Sequence, residues 1–231
     1  HLMEQLADHG NGNYGYIDSL MEAQKVLVRQ IGGTLFTVAS DVKLQIEFNP
    51  ARVAEYRLIG YENRLLARED FNNDKVDAGE LGAGHSVVAL YEIAGPGSAG
   101  LRIDPLRYAA PLPQRAAAPS HGDEFANVRL RYKPQGSTAS RLLTRPVTDA
   151  SFSEHGSDEL RFAAAVAAFG QKLRGGEFLG DFGYPQIRGL ASGARGRDAD
   201  GYRADLLRLV DLADSLSANQ QLASSGQGGN D

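Results

Sequence analysis

Two stretches in the middle of the chain alternate apolar and polar side chains with a period of two, and no other feature restricts the fold as much. Val42, Leu44, Ile46 and Phe48 alternate with Lys43, Gln45 and Glu47, and Val128, Leu130 and Tyr132 alternate with Arg129, Arg131 and Lys133. Successive strand residues point to opposite faces, so each stretch predicts a strand with one face buried. Val53 to Tyr61 and Ser86 to Ile93 are further extended runs. Pro134-Gln135-Gly136 then turns the chain into a partner strand at Arg141 to Val147. Several short strands joined by loops predict an antiparallel sheet or β-sandwich. Gly95 to Asp123, rich in Gly, Pro and Ala, reads as a long loop with one short strand at Leu101 to Tyr108.

The period changes on both sides of this region. Before it, His9 to Asn13 is rich in turn residues and Tyr14 to Ile17 has strand character. Ser19 with Glu22 forms a capping box for a helix whose apolar residues are Leu20, Ala23, Leu27 and Ile31, stopped at Gly32-Gly33. Thr34 to Ser40 continues as a short helix, although Thr37 and Val38 suit a strand as well. After Thr148 the spacing is helical. Ser157 caps a helix with Phe162, Val166, Phe169 and Leu173 on one face, ending at Gly175-Gly176. Pro185 starts a second helix to about Ser192, and a third, from about Asp200 to Leu216, turns Tyr202, Leu206, Leu209, Val210 and Ala213 inward. The expected class is α+β: a strand–helix unit (residues 1–40), an antiparallel β-sandwich or sheet (41–150), a helical cap of about three helices (151–216) and a mobile Gly- and Ser-rich tail (217–231).

Composition removes several classes of function. The absence of cysteine excludes disulfides, thiolate metal sites and cysteine nucleophiles. A net charge of −5 from 29 acidic and 24 basic groups offers no field for nucleic acid. No apolar run is long enough for a membrane-spanning helix. The chain opens at His1 with neither an initiator methionine nor a signal peptide, which points to a fragment or a processed product.

Each chemical motif meets an objection in its own context. Asp149-Ala150-Ser151-Phe152-Ser153 supplies a carboxylate and two hydroxyls, as a Mg²⁺-binding loop does, but the strand-to-helix setting is wrong and it reads as a linker. Asp70-Phe71-Asn72-Asn73-Asp74 begins like a calcium loop, yet Lys75 replaces the turn glycine and Leu81 the bidentate glutamate. No two of His1, His9, His85, His121 and His155 have metal-ligand spacing. Gly79 to Gly84 lacks the context of a phosphate loop and reads as a turn. No catalytic residue and no metal ligand is therefore assigned. The candidate binding residues are Tyr56, Arg57, Tyr61, Glu62 and Arg64, a dense polar-aromatic patch of the kind enriched at interaction hot spots, with His85 at the entrance of a strand.

Longer segments carry a resemblance. Gly10-Asn11-Gly12-Asn13-Tyr14-Gly15-Tyr16-Ile17-Asp18, Asp41 to Pro50, Tyr56 to Arg64, and Gly82-Ala83-Gly84-His85 before Ala89 to Ile93 resemble bacterial von Willebrand factor A domain proteins. Arg161 to Gly170 and Gly201-Tyr202-Arg203 resemble the uncharacterised C-terminal domain of the same family. The resemblance implies that Met3 to about Ser40 is the last strand and helix of an A domain. Its metal-binding loop lies upstream, so Mg²⁺ is expected only there and no cofactor is expected in this fragment. It also implies a periplasmic or cell-envelope location. The leading expectation is a non-catalytic accessory or protein-interaction region that supports or regulates the A domain, with a protein partner the sequence does not name. The truncated N-terminal segment is expected to self-associate or fray. Two rivals are a cell-envelope hydrolase using His85 with Asp70, Asp74 or Asp77, and a calcium-stabilised structural domain.

Overall fold

The computed structural model describes residues 2–9, 14–60, 65–76, 78–104 and 121–226. They form two compact units, His1–Phe152 and Ser153–Asp231. The mixed α+β class with an antiparallel sheet and a C-terminal helical region stands.

In the first unit α1 (Leu2–His9), which the sequence reading did not include, precedes an extended stretch at 14–18 that pairs with no strand among the described residues. The strand expected there is absent. Ser19 caps α2 (Leu20–Gln24) as expected, its hydroxyl accepting from the Glu22 amide at 3.2 Å. The helix does not run on to Ile31, because Lys25–Arg29 widen into a π-helical turn before α3 (Ile31–Leu35). Val26 and Val28 are stiff at χ1 and favour helix weakly. Gly33 does not stop the helix but lies inside α3, where its lack of a side chain admits the His85 ring, while the lack of one at Gly82 admits the Gly33 carbonyl; a Cβ on either glycine would collide.

Strands β1 (Thr37–Phe48), β2 (Glu55–Ile59), β3 (Gly79–Gly82), β4 (Leu90–Ala94), β5 (Glu124–Pro134) and β6 (Arg141–Thr148) build a four-stranded sheet in the order β3-β1-β5-β6 and a two-stranded sheet β2-β4, every pairing antiparallel. Gly79 to Gly82, expected to be a turn, is an edge strand, and the turn follows it. Of the expected strand at 101–108, residues 101–104 have no regular structure and the rest lies outside the described residues. In β1 the register against β5 steps from Ser40↔Lys133 to Lys43↔Arg131, three residues against two, which marks a bulge. Asp41 takes it up with φ 51°, a left-handed conformation that aspartate tolerates better than most residues.

Beyond the bulge the faces separate cleanly. Leu44, Leu130 and Leu143 lie in one cross-strand row, and Ile46, Val128 and Arg145 in the next. Lys43 and Arg131, then Gln45 and Arg129, occupy the opposite face. At one pair the expected burial is reversed, since Lys43 is 3% exposed and Leu44 46%. The cause is a strap. A 3₁₀ turn at Arg68–Asn72 and the residues after it cross the charged face, with Phe71 only 2% exposed and the Arg129 guanidinium 4.9 Å from its ring centre.

The second unit contains α4 (Asp158–Leu173), α5 (Tyr184–Gly193) and α6 (Tyr202–Gly226). Ser157 caps α4, accepting from the Leu160 amide at 3.2 Å, and Gly175 and Gly176 leave it with positive φ, as the sequence predicted. Ala168, Phe169, Ile187 and Val210 form the core. The buried face of α4 is Ala165, Ala168 and Phe169, while Val166 and Leu173 are exposed. α5 begins at Tyr184 with Pro185 in its first turn. The tail expected to be mobile continues α6 as far as Gly226, because no glycine or proline interrupts the run after Gly201. The Ser217 hydroxyl there reaches the Tyr184 hydroxyl at 3.4 Å. Arg203 donates to the carbonyls of Ala194 and Arg195 at 3.0 and 3.1 Å, and Arg161 donates to that of Gly193, so two arginines close the C-terminus of α5.

Candidate interaction surfaces

The expected binding patch begins on β2, and β4 sets its geometry. Register places Tyr56 opposite Ile93 on one face and Arg57 opposite Glu92 on the other. Tyr56 is 61% exposed and stacks on Phe48 with ring centres 4.4 Å apart, and Phe48 meets Tyr91 edge-on at 5.4 Å. Burial pushes the Tyr91 hydroxyl upward, and the neighbouring Tyr56 adds to it. These rings join the two sheets through the end of β1.

Arg57 is committed to the fold. It donates to Glu92 Oε2 across the strands, while Arg102 donates to Glu92 Oε1 at 3.0 Å. Burial alone would raise the Glu92 carboxyl, but the hydrogen bond from Arg57 and the charges of both arginines hold it below the usual range. Glu55 accepts the amides of Arg102 and Ile103, each at 3.0 Å, which fixes the chain after β4. Tyr61, Glu62 and Arg64 lie outside the described residues. His85 is exposed in the turn after β3, its amide bonded to Gly82 O at 3.1 Å and its ring against Gly33, away from Tyr56 and Arg57 in the hydrogen-bond pattern.

The acidic residues named beside His85 are engaged elsewhere. Lys43 Nζ donates to the carbonyls of Asn73 at 2.5 Å and Asp70 at 3.4 Å, so the strap directs its oxygens at an ammonium. Asp74 accepts from Ser140 Oγ at 2.5 Å and from Arg131 through Nε and Nη2 at 3.0–3.1 Å, and Lys133 reaches its carbonyl at 3.3 Å. The Ser140 hydrogen bond first, then that of Arg131, holds the Asp74 carboxyl below its ordinary value. Asp77 lies outside the described residues. No hydrogen bond or ion pair joins His85 to Asp70 or Asp74 among the described residues.

The motif at Asp149 has a structural use. Arg52 grips its carboxylate with Nη2 at 2.6 Å and Nη1 at 3.3 Å, donates to Gly122 O at 3.0 Å and lies 4.3 Å from the centre of the Phe125 ring. That hydrogen bonding lowers the Asp149 carboxyl and ties the end of β6 to the turn after β1. Among the described residues no group of three or more His, Asp or Glu could hold a metal ion, and no helix is long and apolar enough to cross a membrane.

The sequence reading missed two features. One is the strap, whose signal was Phe71 amid polar residues. The other is the open apolar face around Leu143 and Leu44, of which alternation places Leu44 inside.

An antiparallel sheet strapped on its charged face and followed by three helices defines an α+β domain of one family. The chain belongs to the family described as the C-terminal region of the uncharacterised protein YfbK, whose model matches residues 33–216. It is 48% identical over 217 residues to the uncharacterised protein YfbK of Escherichia coli (strain K12), a match covering 94% of this chain and 37% of that protein. The chain thus spans little more than a third of the curated relative's length. No solved structure matches.

Proposed function

We propose that this chain is a non-catalytic accessory region, and that residues 2–36 are the end of a preceding von Willebrand factor A domain which the rest of the chain supports or regulates. The exposed apolar surface of that segment carries the reading. Leu20, Leu27, Val28, Leu35 and Phe36 are all more than half exposed, and α2 and the π-helical turn bury no residue. Fully burying one such side chain contributes about 1.5–3 kcal/mol, so several together are a strong drive toward a covering surface. The family match begins at residue 33, inside α3 and four residues before β1, so most of this segment lies outside it. Mg²⁺ chemistry belongs to the upstream domain in this reading, since the oxygens of the 70–74 loop are directed at Lys43 and Arg131.

Hydrogen exchange tests it. In this chain the amides of residues 14–36 exchange fast, and in a polypeptide that includes the upstream region they become protected by at least tenfold. Equal exchange in both would sink the reading, and so would a turnover that His85→Ala abolishes.

A further inference from the structure

We infer that the open apolar face of the four-stranded sheet docks an amphipathic helix of a partner protein whose apolar stripe is bordered by carboxylates. This surface is separate from residues 2–36 and goes beyond the accessory role.

Three rows cross β1, β5 and β6 on this face. The end row, Phe48–Ala126–Val147, is roofed by the Tyr56 and Tyr91 rings that pack on Phe48. Among the described residues the row Leu44–Leu130–Leu143 has no such roof: Leu143 is 55% exposed and Leu44 46%. Arg141 and Arg145 stand two residues to either side of Leu143 on β6, which places their side chains on the same face, about 7 Å away along the strand. Both are exposed and neither forms an ion pair among the described residues. No carboxylate lies on this face from Leu44 to Phe48, Ala126 to Tyr132 or Arg141 to Val147.

The charged face behaves oppositely. There Arg131 and Lys133 are matched by Asp74 and Asp41. An uncompensated pair of guanidiniums flanking an apolar row suits a partner that brings leucine-like side chains and acids together. β1 and β6, two strand spacings apart, are separated by about 10 Å, close to the diameter of one helix. An added strand suits the site less well, because Pro146 on the edge strand β6 has no N–H to offer. A second copy would set arginine against arginine.

The test uses the whole chain and two labelled helical peptides of about 20 residues, each with one leucine stripe, flanked in one by glutamate and in the other by lysine. Fluorescence anisotropy is expected to show saturable binding of the glutamate peptide and at least tenfold weaker binding of the lysine peptide. The Arg141→Glu/Arg145→Glu variant reverses the order, and Leu143→Asp weakens both, with circular dichroism verifying each fold. If the double variant does not fold, raising salt from about 0.05 to 0.5 M replaces it, and the glutamate peptide must lose at least tenfold in affinity. Equal binding of the two peptides, no saturable binding, or salt-independent affinity overturns the proposal. A concentration-dependent dimer that Leu143→Asp dissolves also overturns it, in favour of a second copy.

Discussion

Replacing Phe71 by alanine removes the side chain by which the strap is buried against the sheet. Phe71 is almost wholly enclosed, and the Arg129 guanidinium covers its ring at 4.9 Å. Truncating a buried phenylalanine costs about 3–5 kcal/mol in transfer and cavity terms. The cation–π contact adds about 0.5–1 kcal/mol at a partly exposed site. The expected loss is therefore about 3.5–6 kcal/mol, a large fraction of the stability of a domain. At about 2–4 °C per kcal/mol for a unit of this size, Tm falls by about 7–24 °C. Urea unfolding followed by near-ultraviolet circular dichroism reads the change from tyrosine signals, which suits a chain without tryptophan. A double-mutant cycle with Arg129→Gln separates the ring–guanidinium contact from the cavity. A loss below about 1 kcal/mol for Phe71→Ala would refute the view that the strap is part of the core.

Two further predictions concern the same strap. The folded-state Asp74 carboxyl titrates below its unfolded value of about 3.9, so its stabilising contribution is complete above that pH and disappears as pH falls through the lower folded value. Asp74→Asn should flatten part of the decline in urea midpoint between about pH 5 and pH 2, and an unchanged profile would count against the Asp74–Arg131–Ser140 linkage. Lys43→Met removes the ammonium from the Asp70 and Asn73 carbonyls, which keep backbone donors in the Asn73 and Val76 amides, so the expected cost is about 0.5–1.5 kcal/mol for each hydrogen bond lost. A variant as stable as the parent would show that the ammonium adds nothing beyond the packing of its stem.

The legibility of the fold followed from how local each determinant was. Ser19, Ser157 and Gly175-Gly176 act within a few residues, and their caps and stops formed as the sequence predicted. The β5–β6 hairpin was also legible, because Gly136 supplies the positive φ its turn requires. Burial was less legible because it depends on what lies across a face. Alternation separates Lys43 from Leu44 but does not say which of them a distant loop will cover. The strap's hold comes from residues 27 to 66 positions away along the chain, beyond any window of periodicity. α4 shows the same effect on a smaller scale, with Ala165 and Ala168 inside and the larger Val166 and Leu173 outside. Of the candidate binding residues, Arg57 was legible as a polar residue on a strand, but its pairing with Glu92 needed the β2–β4 register.

Asp41 makes β1 one residue longer than the span it matches on β5, and the step from Ala39↔Leu81 to Val42↔Gly79 repeats the excess against β3. Without Asp41, Ser40 and Val42 would face Lys133 and Tyr132 in unbroken succession, so hydrogen-bond pairing alone does not call for the insertion. What the extra residue provides is a carboxylate within reach of Lys133 and a sharper local coil in the longest strand. A chain shortened there could still zip its ladders while Lys133 loses its counter-ion beside the strap.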